Sequence, residues 1–323
     1  MKKLIITITI IAVLIMATTG LTSADGGPHG GYTATTDACA GCHRAHTATG
    51  PNLLIVSSSY DLCMSCHGSS GLGANTNVDD GYYLSSRDDT GSNDDEGAAN
   101  TPDNSPLLGG GFVYYQGTAV TSSHDMAGGG NTTLAWGNGG TRGVATNISD
   151  PTFSCASCHD PHGSPNYRII NAAVNGNSVA VAQVDEGAAK DYDTEQWGTG
   201  TSDLCAACHG AYHVTSAGSG SDPAMVGSGG YTHRVDMTYV YGANNNPETV
   251  GLDGYTLPLA ESGAVDRVVC MTCHLPHGSS AQMTGIADGG PDGTGTLPGD
   301  TTATDSALLR LDNRGVCEVC HQK

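Results

Sequence analysis

All 12 cysteines of the chain stand in pairs separated by two residues, and a histidine follows each pair directly. The pairs are Cys39 and Cys42, Cys63 and Cys66, Cys155 and Cys158, Cys205 and Cys208, Cys270 and Cys273, and Cys317 and Cys320. The histidines that follow them are His43, His67, His159, His209, His274 and His321. The C-x-x-C-H motif attaches c-type haem, whose vinyl groups bond to the two sulfurs while the histidine binds the iron. The motifs therefore predict six haems c, each with a proximal histidine.

A helical turn is the element that must position each motif, because residues i, i+3 and i+4 of a helix share one face. Both sulfurs and the imidazole then reach the same macrocycle. Asp61 and Asp203 precede two of the motifs and are candidate N-caps, while Gly68 and Gly210 follow the same motifs as candidate helix stops. Zinc binding and disulfide bonds are the competing uses of paired cysteines. Six repeats that consume every cysteine favour haem over both.

The second axial ligand of each iron must come from elsewhere in the chain. Seven histidines stand outside the motifs: His29, His46, His124, His162, His213, His233 and His277. They are enough for six irons, so bis-histidine ligation with low reduction potentials is the favoured interpretation. Methionine is the other common sixth ligand, and four methionines outside the motifs and the N-terminal segment keep that alternative open: Met126, Met225, Met237 and Met283.

Three of these histidines, His46, His162 and His277, stand three residues after a proximal histidine. Three residues span at most about 10 Å, which is too little to pass round the edge of a macrocycle to its other face. Each must therefore serve a neighbouring haem, and sharing ligands in this way holds the haems close together. His213, four residues after His209, is constrained in the same way.

The motifs form three pairs, and each pair opens with a motif that carries the extra histidine. If each extra histidine ligates the opener one pair earlier, His162 serves haem 1 and His277 serves haem 3. Haem 5 then lacks a donor and His46 lacks a recipient. The simplest solution is that His46 ligates haem 5 of another copy of the chain. This head-to-tail contact produces a filament if the rotation between neighbouring copies does not close into a ring. Haems 2, 4 and 6 would draw, in an open order, on His124, His213 and His233, with His29 spare or a substitute.

The composition predicts that haems rather than side chains fill the interior. The chain has 323 residues and 47 glycines but only 2 Phe and 2 Trp, and the segments between motifs lack sustained helical periodicity. The expected fold is mostly irregular coil with short helices and few strands, folded around six covalently attached haems. An apoprotein is not expected to fold, because cofactor attachment supplies the burial.

The N-terminus has the pattern of a secretory signal peptide. Lys2 and Lys3 precede a largely apolar run from Leu4 to Met16, and small residues lead to Ala24. We expect cleavage after residue 24, which leaves one hexahaem domain at 25–323 with haem pairs near 39–67, 155–209 and 270–321. An uncleaved membrane anchor is the alternative, although a span needs about 20 apolar residues. No membrane span is expected in the mature chain.

The net charge of -20 excludes nucleic acid as an expected partner, because phosphate backbones are bound through Lys and Arg. Basic mineral surfaces, cations or positively charged proteins fit such a chain better. No C-x-x-C-K motif is present, and such a lysine often marks the open iron of a multihaem reductase. A non-enzymatic electron carrier is therefore favoured over a reductase of nitrite or hydroxylamine.

The order of motifs resembles the doubled-CXXCH multihaem cytochromes, and among them the hexahaem OmcS-type cytochromes that polymerise into extracellular nanowires. The resemblance runs from Cys39 to the end of the chain and includes Cys155-Ala-Ser-Cys-His-Asp-Pro-His162-Gly. It implies that His46 crosses the subunit interface to haem 5. It also implies an exported filament that conducts electrons to other multihaem cytochromes, minerals or cells. A monomeric periplasmic shuttle or a subunit of an outer-membrane complex is the alternative.

Overall fold

A computed structural model describes residues 29, 39–71, 74, 76–84, 102–126, 133–142, 144–184, 196–215, 225–226, 230–239, 257–262, 265–283, 306–313 and 315–321. The expected signal peptide, residues 1–24, lies outside the described residues. In the described part, irregular chain with turns predominates over short helices and strands, which confirms the expected fold class in this respect. No helix within these ranges is long and apolar enough to span a membrane.

Every α-helix among the described residues contains a C-x-x-C pair, whereas the short 3₁₀ helices at Pro51–Leu53, Asn138–Gly140, Tyr167–Ile169 and Gly210–Tyr212 contain none. The helices are α1 (Ser59–His67), α2 (Cys155–Cys158), α3 (Thr201–His209), α4 (Cys270–Cys273) and α5 (Gly315–His321), and the first motif forms a 3₁₀ turn at Cys39–Gly41. The α1 helix begins earlier than expected, because the side chain of Ser58 caps it by accepting the backbone N–H of Asp61. The α3 helix likewise begins two residues before Asp203. Gly68 is the C-cap of α1, as expected.

The strands are two to five residues long, and most of them pair with a strand close by in sequence. They are β1 (Thr76–Asn77), β2 (Tyr82–Leu84), β3 (Pro102–Pro106), β4 (Tyr114–Tyr115), β5 (Thr118–Ala119), β6 (Ser122–Ser123), β7 (Leu134–Trp136), β8 (Ala145–Asn147), β9 (Ala173–Val174), β10 (Asn177–Ser178), β11 (Trp197–Gly198), β12 (Met225–Val226), β13 (Gly230–Tyr231), β14 (Met237–Thr238), β15 (Ala260–Ser262), β16 (Val265–Val268) and β17 (Gly278–Ser279). The largest described sheet has the order β11-β15-β16-β14, in which β11 and β15 are parallel.

Two small clusters of buried apolar side chains lie against motif cysteines. The larger cluster packs against Cys205 and Cys208 and contains Tyr167, Ile170, Val174, Val179, Val181, Trp197, Leu204, Ala207, Ala260, Val269 and Met271. The smaller cluster packs against Cys273 and contains Leu257, Leu311, Val316 and Val319. Both apolar clusters thus adjoin haem-attachment sequences, while other buried apolar residues, such as Leu107 and Tyr115, belong to neither.

Candidate haem-binding site

Five of the six proximal imidazoles face a second imidazole at nearly the same distance. The ring centroids are 6.1 Å apart for His43 and His162, 6.2 Å for His67 and His29, 6.4 Å for His159 and His277, 6.3 Å for His209 and His124, and 6.2 Å for His321 and His233. A metal–imidazole bond is about 2 Å and a ring centre lies about 1 Å behind its nitrogen, so two imidazoles on one metal have centres about 6 Å apart. The five pairs therefore fit one metal each.

The neighbours of the odd-numbered motifs are the residues that the spacing argument selects. The structure brings His162 to His43, with ring planes at 14°, and His277 to His159. Among the even-numbered motifs, His124 lies at motif 4 and His233 at motif 6. Ligation of a haem by these residues stays a prediction, whereas the close approach of the rings is a property of the described fold.

His29 and His213 are the two histidines whose surroundings differ most. His29, expected to be spare or a substitute, has its ring 6.2 Å from that of His67 and its Nδ1 3.0 Å from the carbonyl oxygen of Pro161. His213, expected at an even-numbered haem, has its Nε2 2.8 Å from an Asp236 carboxylate oxygen. Its Nδ1 lies 3.9 Å from the carboxylate of Asp203. Among the described residues, no second imidazole faces His213.

His274 of motif 5 is the remaining proximal histidine. Among the described residues, no second imidazole faces its ring, and the residue is exposed. His46 is likewise exposed, and no described imidazole of its own chain lies opposite it. One proximal histidine, His274, and two extra histidines, His46 and His213, therefore have no facing imidazole among the described residues.

Among the described residues, five of the six proximal imidazoles have a hydrogen-bonded Nδ1, and a carbonyl partner sets the ring tautomer. In motifs 1, 3 and 5 the Nδ1–H donates to backbone carbonyl oxygens, those of Asn52 at 2.9 Å, Arg168 at 3.0 Å and Ala307 at 2.9 Å. In motif 4 the acceptor is the Trp136 carbonyl oxygen at 2.8 Å, and in motif 2 the Nδ1 of His67 lies 2.8 Å from the Thr76 hydroxyl oxygen, which can donate or accept. A neutral imidazole that donates from Nδ1 keeps the Nε2 lone pair for a metal.

Three of the imidazoles that face a proximal ring also have an Nδ1 within hydrogen-bond distance of a backbone carbonyl oxygen: His29 with Pro161 at 3.0 Å, His124 with Pro276 at 2.6 Å and His233 with Arg234 at 2.7 Å. His277 differs, because its Nδ1 is buried and has no hydrogen-bond partner among the described residues. Desolvation, with the neighbouring His159 as a second cause, lowers the pKa of His277 to about 3. Desolvation also lowers the pKa of four further imidazoles, those of His124, His159, His209 and His274. Lowered pKa values keep the rings neutral, which is the form that binds iron.

The cysteines of consecutive motifs lie close enough for their thiols to shift one another's pKa. In chain order the interacting pairs are Cys42 with Cys66, Cys63 with Cys155, Cys158 with Cys208, Cys205 with Cys270, and Cys273 with Cys317. Burial is the larger cause of the raised pKa of Cys42, Cys158 and Cys273, and a thiol of the next motif adds to each. These interactions connect each motif with the next one in chain order, from motif 1 to motif 6.

One protein family and one solved structure are similar to this chain. The Doubled CXXCH motif family matches residues 32–71 and 151–177, which contain motifs 1, 2 and 3. No curated protein matches the chain significantly. Among solved structures, the chain is similar to the outer membrane cytochrome S filament from Geobacter sulfurreducens, with 17% identity, a TM-score of 0.41, and coverage of 88% of this chain and 98% of that chain. Residues 32–71 and 151–177 of the chain thus carry the doubled CXXCH motif, whose cysteines and histidines are the residue types that attach haem c.

Proposed function

We propose that the chain holds six haems c, each between two histidines, and that these form one electron-conducting series within an exported filament. The observation that carries the proposal is the set of five imidazole pairs at 6.1–6.4 Å. The distal ligands would be His162 for haem 1, His29 for haem 2, His277 for haem 3, His124 for haem 4 and His233 for haem 6. His213 takes no part in ligation.

The bound haems would supply reversible one-electron chemistry at iron, and side chains and backbone groups of the chain would orient the haems and their imidazole ligands. Its cysteine pairs fix each macrocycle, its Nδ1 acceptors fix the imidazole tautomer, and its two axial histidines close each iron. Closed irons favour electron transfer over catalysis, since a reductase needs an open position for its substrate. The influence of thiols of one motif on the pKa of thiols in the next, from motif 1 to motif 6, supports a single continuous series in sequence order.

The filament is the part of the proposal that rests on His46 and His274. Both are exposed, and neither faces a second imidazole among the described residues of its own chain. A His46 that reaches His274 of the next copy would close the sixth iron and join the copies. The same head-to-tail contact repeats at every copy, so the haem series would continue through the polymer.

Ligation by His29 is tested with a matched pair of histidine variants. His29→Ala is expected to leave one of six ferric haems without its second imidazole, whereas His213→Ala is expected to leave all six low-spin. Electron paramagnetic resonance and magnetic circular dichroism of the holoprotein measure both, and they also distinguish histidine from methionine ligation. A high-spin or altered haem in His213→Ala, with none in His29→Ala, would reverse the assignment.

Polymerisation is tested by electron microscopy of the exported holoprotein. We expect thin uniform filaments in the unaltered chain and in the control Thr47→Ala, and few or short filaments in His46→Ala. Thr47 is an exposed neighbour of His46, so the control changes the same loop. Monodisperse particles in all three proteins would exclude the filament and leave a monomeric shuttle, in the periplasm or in an outer-membrane complex.

A further inference from the structure

The same unusual turn accompanies each odd-numbered motif. It consists of two successive left-handed residues followed by an aliphatic residue in bridge contact with the proximal histidine. We name these segments clamp turn 1 (Asn52–Leu54), clamp turn 3 (Arg168–Ile170) and clamp turn 5 (Ala307–Leu309). The φ angles of the two left-handed residues are 54° and 62° for Asn52 and Leu53, 54° and 54° for Arg168 and Ile169, and 49° and 64° for Ala307 and Leu308.

Clamp turn 1 contacts motif 1 through four backbone or imidazole groups. His43 Nδ1–H donates to the Asn52 carbonyl oxygen at 2.9 Å, and the backbone N–H of Arg44 donates to the Leu53 carbonyl oxygen at 2.9 Å. Leu54 forms an isolated β-bridge with His43. The residue after the turn, Ile55, donates its N–H to the carbonyl oxygen of Cys42 at 3.1 Å. The proximal histidine is thus held on both its ring and its backbone.

The other two clamp turns repeat these contacts group by group. In clamp turn 3 every acceptor is a backbone carbonyl oxygen. His159 Nδ1–H donates to that of Arg168 at 3.0 Å, the backbone N–H of Asp160 to that of Ile169 at 2.7 Å, and the backbone N–H of Asn171 to that of Cys158 at 2.8 Å. In clamp turn 5 the acceptors are again backbone carbonyl oxygens. His274 Nδ1–H donates to that of Ala307 at 2.9 Å, the backbone N–H of Leu275 to that of Leu308 at 2.8 Å, and the backbone N–H of Arg310 to that of Cys273 at 2.9 Å. The β-bridges are His159 with Ile170 and His274 with Leu309.

Chain separation does not explain the repetition. The acceptor carbonyl follows its histidine by 9 residues in clamp turns 1 and 3 but by 33 residues in clamp turn 5. Two consecutive left-handed residues that are not glycine are also costly, most of all for the β-branched Ile169. Strained backbone of this kind persists where the surroundings determine it, and it is concentrated at functional sites.

The even-numbered motifs are held differently. His67 Nδ1 contacts a side-chain hydroxyl, that of Thr76, and His209 donates to the carbonyl oxygen of Trp136, which lies 73 residues upstream on β7. Neither partner residue is left-handed. The clamp turn therefore marks the first motif of each pair and distinguishes it from the second.

We propose that the clamp turns are positioning elements for the odd-numbered haems, in which two left-handed residues aim a carbonyl oxygen at the Nδ1–H of the proximal histidine. This proposal rests on the haem ligation proposed above. A hydrogen bond from Nδ1–H makes the imidazole a stronger donor to iron and stabilises the ferric state. The clamp turns would therefore lower the reduction potentials of haems 1, 3 and 5.

The test uses two substitutions at Leu53, whose side chain is 52% exposed. Proline in Leu53→Pro keeps the carbonyl that Arg44 needs but fixes φ near about −65° and disfavours helical φ/ψ at the preceding residue, so it opens the clamp turn. Glycine in Leu53→Gly removes the same side chain and accepts the left-handed backbone, so it preserves the clamp turn. The pair separates the turn geometry from the leucine side chain.

Two readouts are measured on the full holoprotein: solvent exchange of the imidazole Nδ1 protons, by electron–nuclear double resonance of the ferric haems, and a spectroelectrochemical titration. In Leu53→Pro, one of the six haems should lose a protected Nδ1 proton and one reduction step should move to higher potential. Leu53→Gly should match the unaltered chain. Changes of equal size in both variants, or in neither, would overturn the proposal.

The unaltered chain supplies an independent arm if Leu53→Pro does not assemble. At least three of its haems should keep an exchange-protected Nδ1 proton, and fewer than three would overturn the clamp turns. Haem content separates this outcome from failure of the proposed function. Fewer than six haems in the unaltered chain would contradict the haem loading itself, whereas six haems without protected protons would contradict the clamp turns alone.

Discussion

At the scale of single residues, the hydrogen-bond acceptor at Nδ1 is the feature by which this chain adjusts each proximal imidazole. Most of the acceptors are backbone carbonyls, which substitution cannot remove directly. Thr76 is different, because it contacts His67 Nδ1 through its side-chain hydroxyl at 2.8 Å. It lies on β1, where its backbone pairs with Tyr83 of β2. A single substitution can therefore delete this acceptor while the strand pairing stays in place.

We expect Thr76→Val to raise the reduction potential of haem 2 and to leave the haem content at six per chain. Without the hydroxyl acceptor, the His67 imidazole donates less electron density, so the ferric state loses stabilisation relative to the ferrous state. Valine suits a strand position as well as threonine does. A spectroelectrochemical titration of the purified holoprotein measures the change as one step of six that moves upward.

Thr118→Val is the matched control for this substitution. Thr118 is an exposed strand residue on β5, and its side chain is not among the groups that hold an imidazole. All six reduction steps should then coincide with those of the unaltered chain. If Thr76→Val also gave an unchanged titration, the hydroxyl at His67 would have no role in setting the potential.

At the scale of elements, helical turns at the motifs could be predicted from sequence and the elements between them could not. The i, i+3, i+4 spacing requires a helical turn, and all six motifs form one. The cap of α1 was assigned to Asp61 rather than Ser58, because both residue types cap helices and the acidic one lies nearer the motif. The clamp turns carry no glycine at their left-handed positions, so local propensity gave no sign of them.

The same limit applies to two histidines, His29 and His213, whose surroundings spacing alone does not determine. Spacing from a proximal histidine selects His162 and His277, because a short tether restricts where a side chain can go. His29 has no such tether, and its position depends on the remote carbonyl of Pro161. His213 has a short tether of this kind, but its Nε2 lies within hydrogen-bond distance of the carboxylate of Asp236, which lies 23 residues downstream. Contacts between distant segments thus decided both positions.

At the scale of the whole molecule, the two apolar clusters show how cofactor attachment and folding are connected. Each cluster lies against cysteines that would carry haem, and the cluster at Cys205 and Cys208 has 11 buried members while that at Cys273 has four. These are small cores for a chain of 323 residues. The haems would therefore provide much of the buried surface. Loss of one haem should then unfold the region of the chain around its attachment site.

Removing one haem attachment at a time should reveal these regions. We expect Cys205→Ala with Cys208→Ala to lower the hydrogen-exchange protection of the larger cluster by tenfold or more, which corresponds to about 1.4 kcal/mol or more of local stability. Cys317→Ala with Cys320→Ala, at the end of the chain, should lower protection around α5 and leave the larger cluster unchanged. Hydrogen–deuterium exchange with mass spectrometry of the exported proteins measures both.

The two double variants serve as controls for each other, because each removes two cysteines and one haem. Substitution of all six pairs should abolish cooperative unfolding, since cofactor attachment then contributes nothing to the core. If the chain without haem kept a cooperative thermal transition and native protection, side chains alone would stabilise the fold. Loss of protection confined to α5 in one variant and centred on α3 in the other would instead show that each haem organises the segment that attaches it.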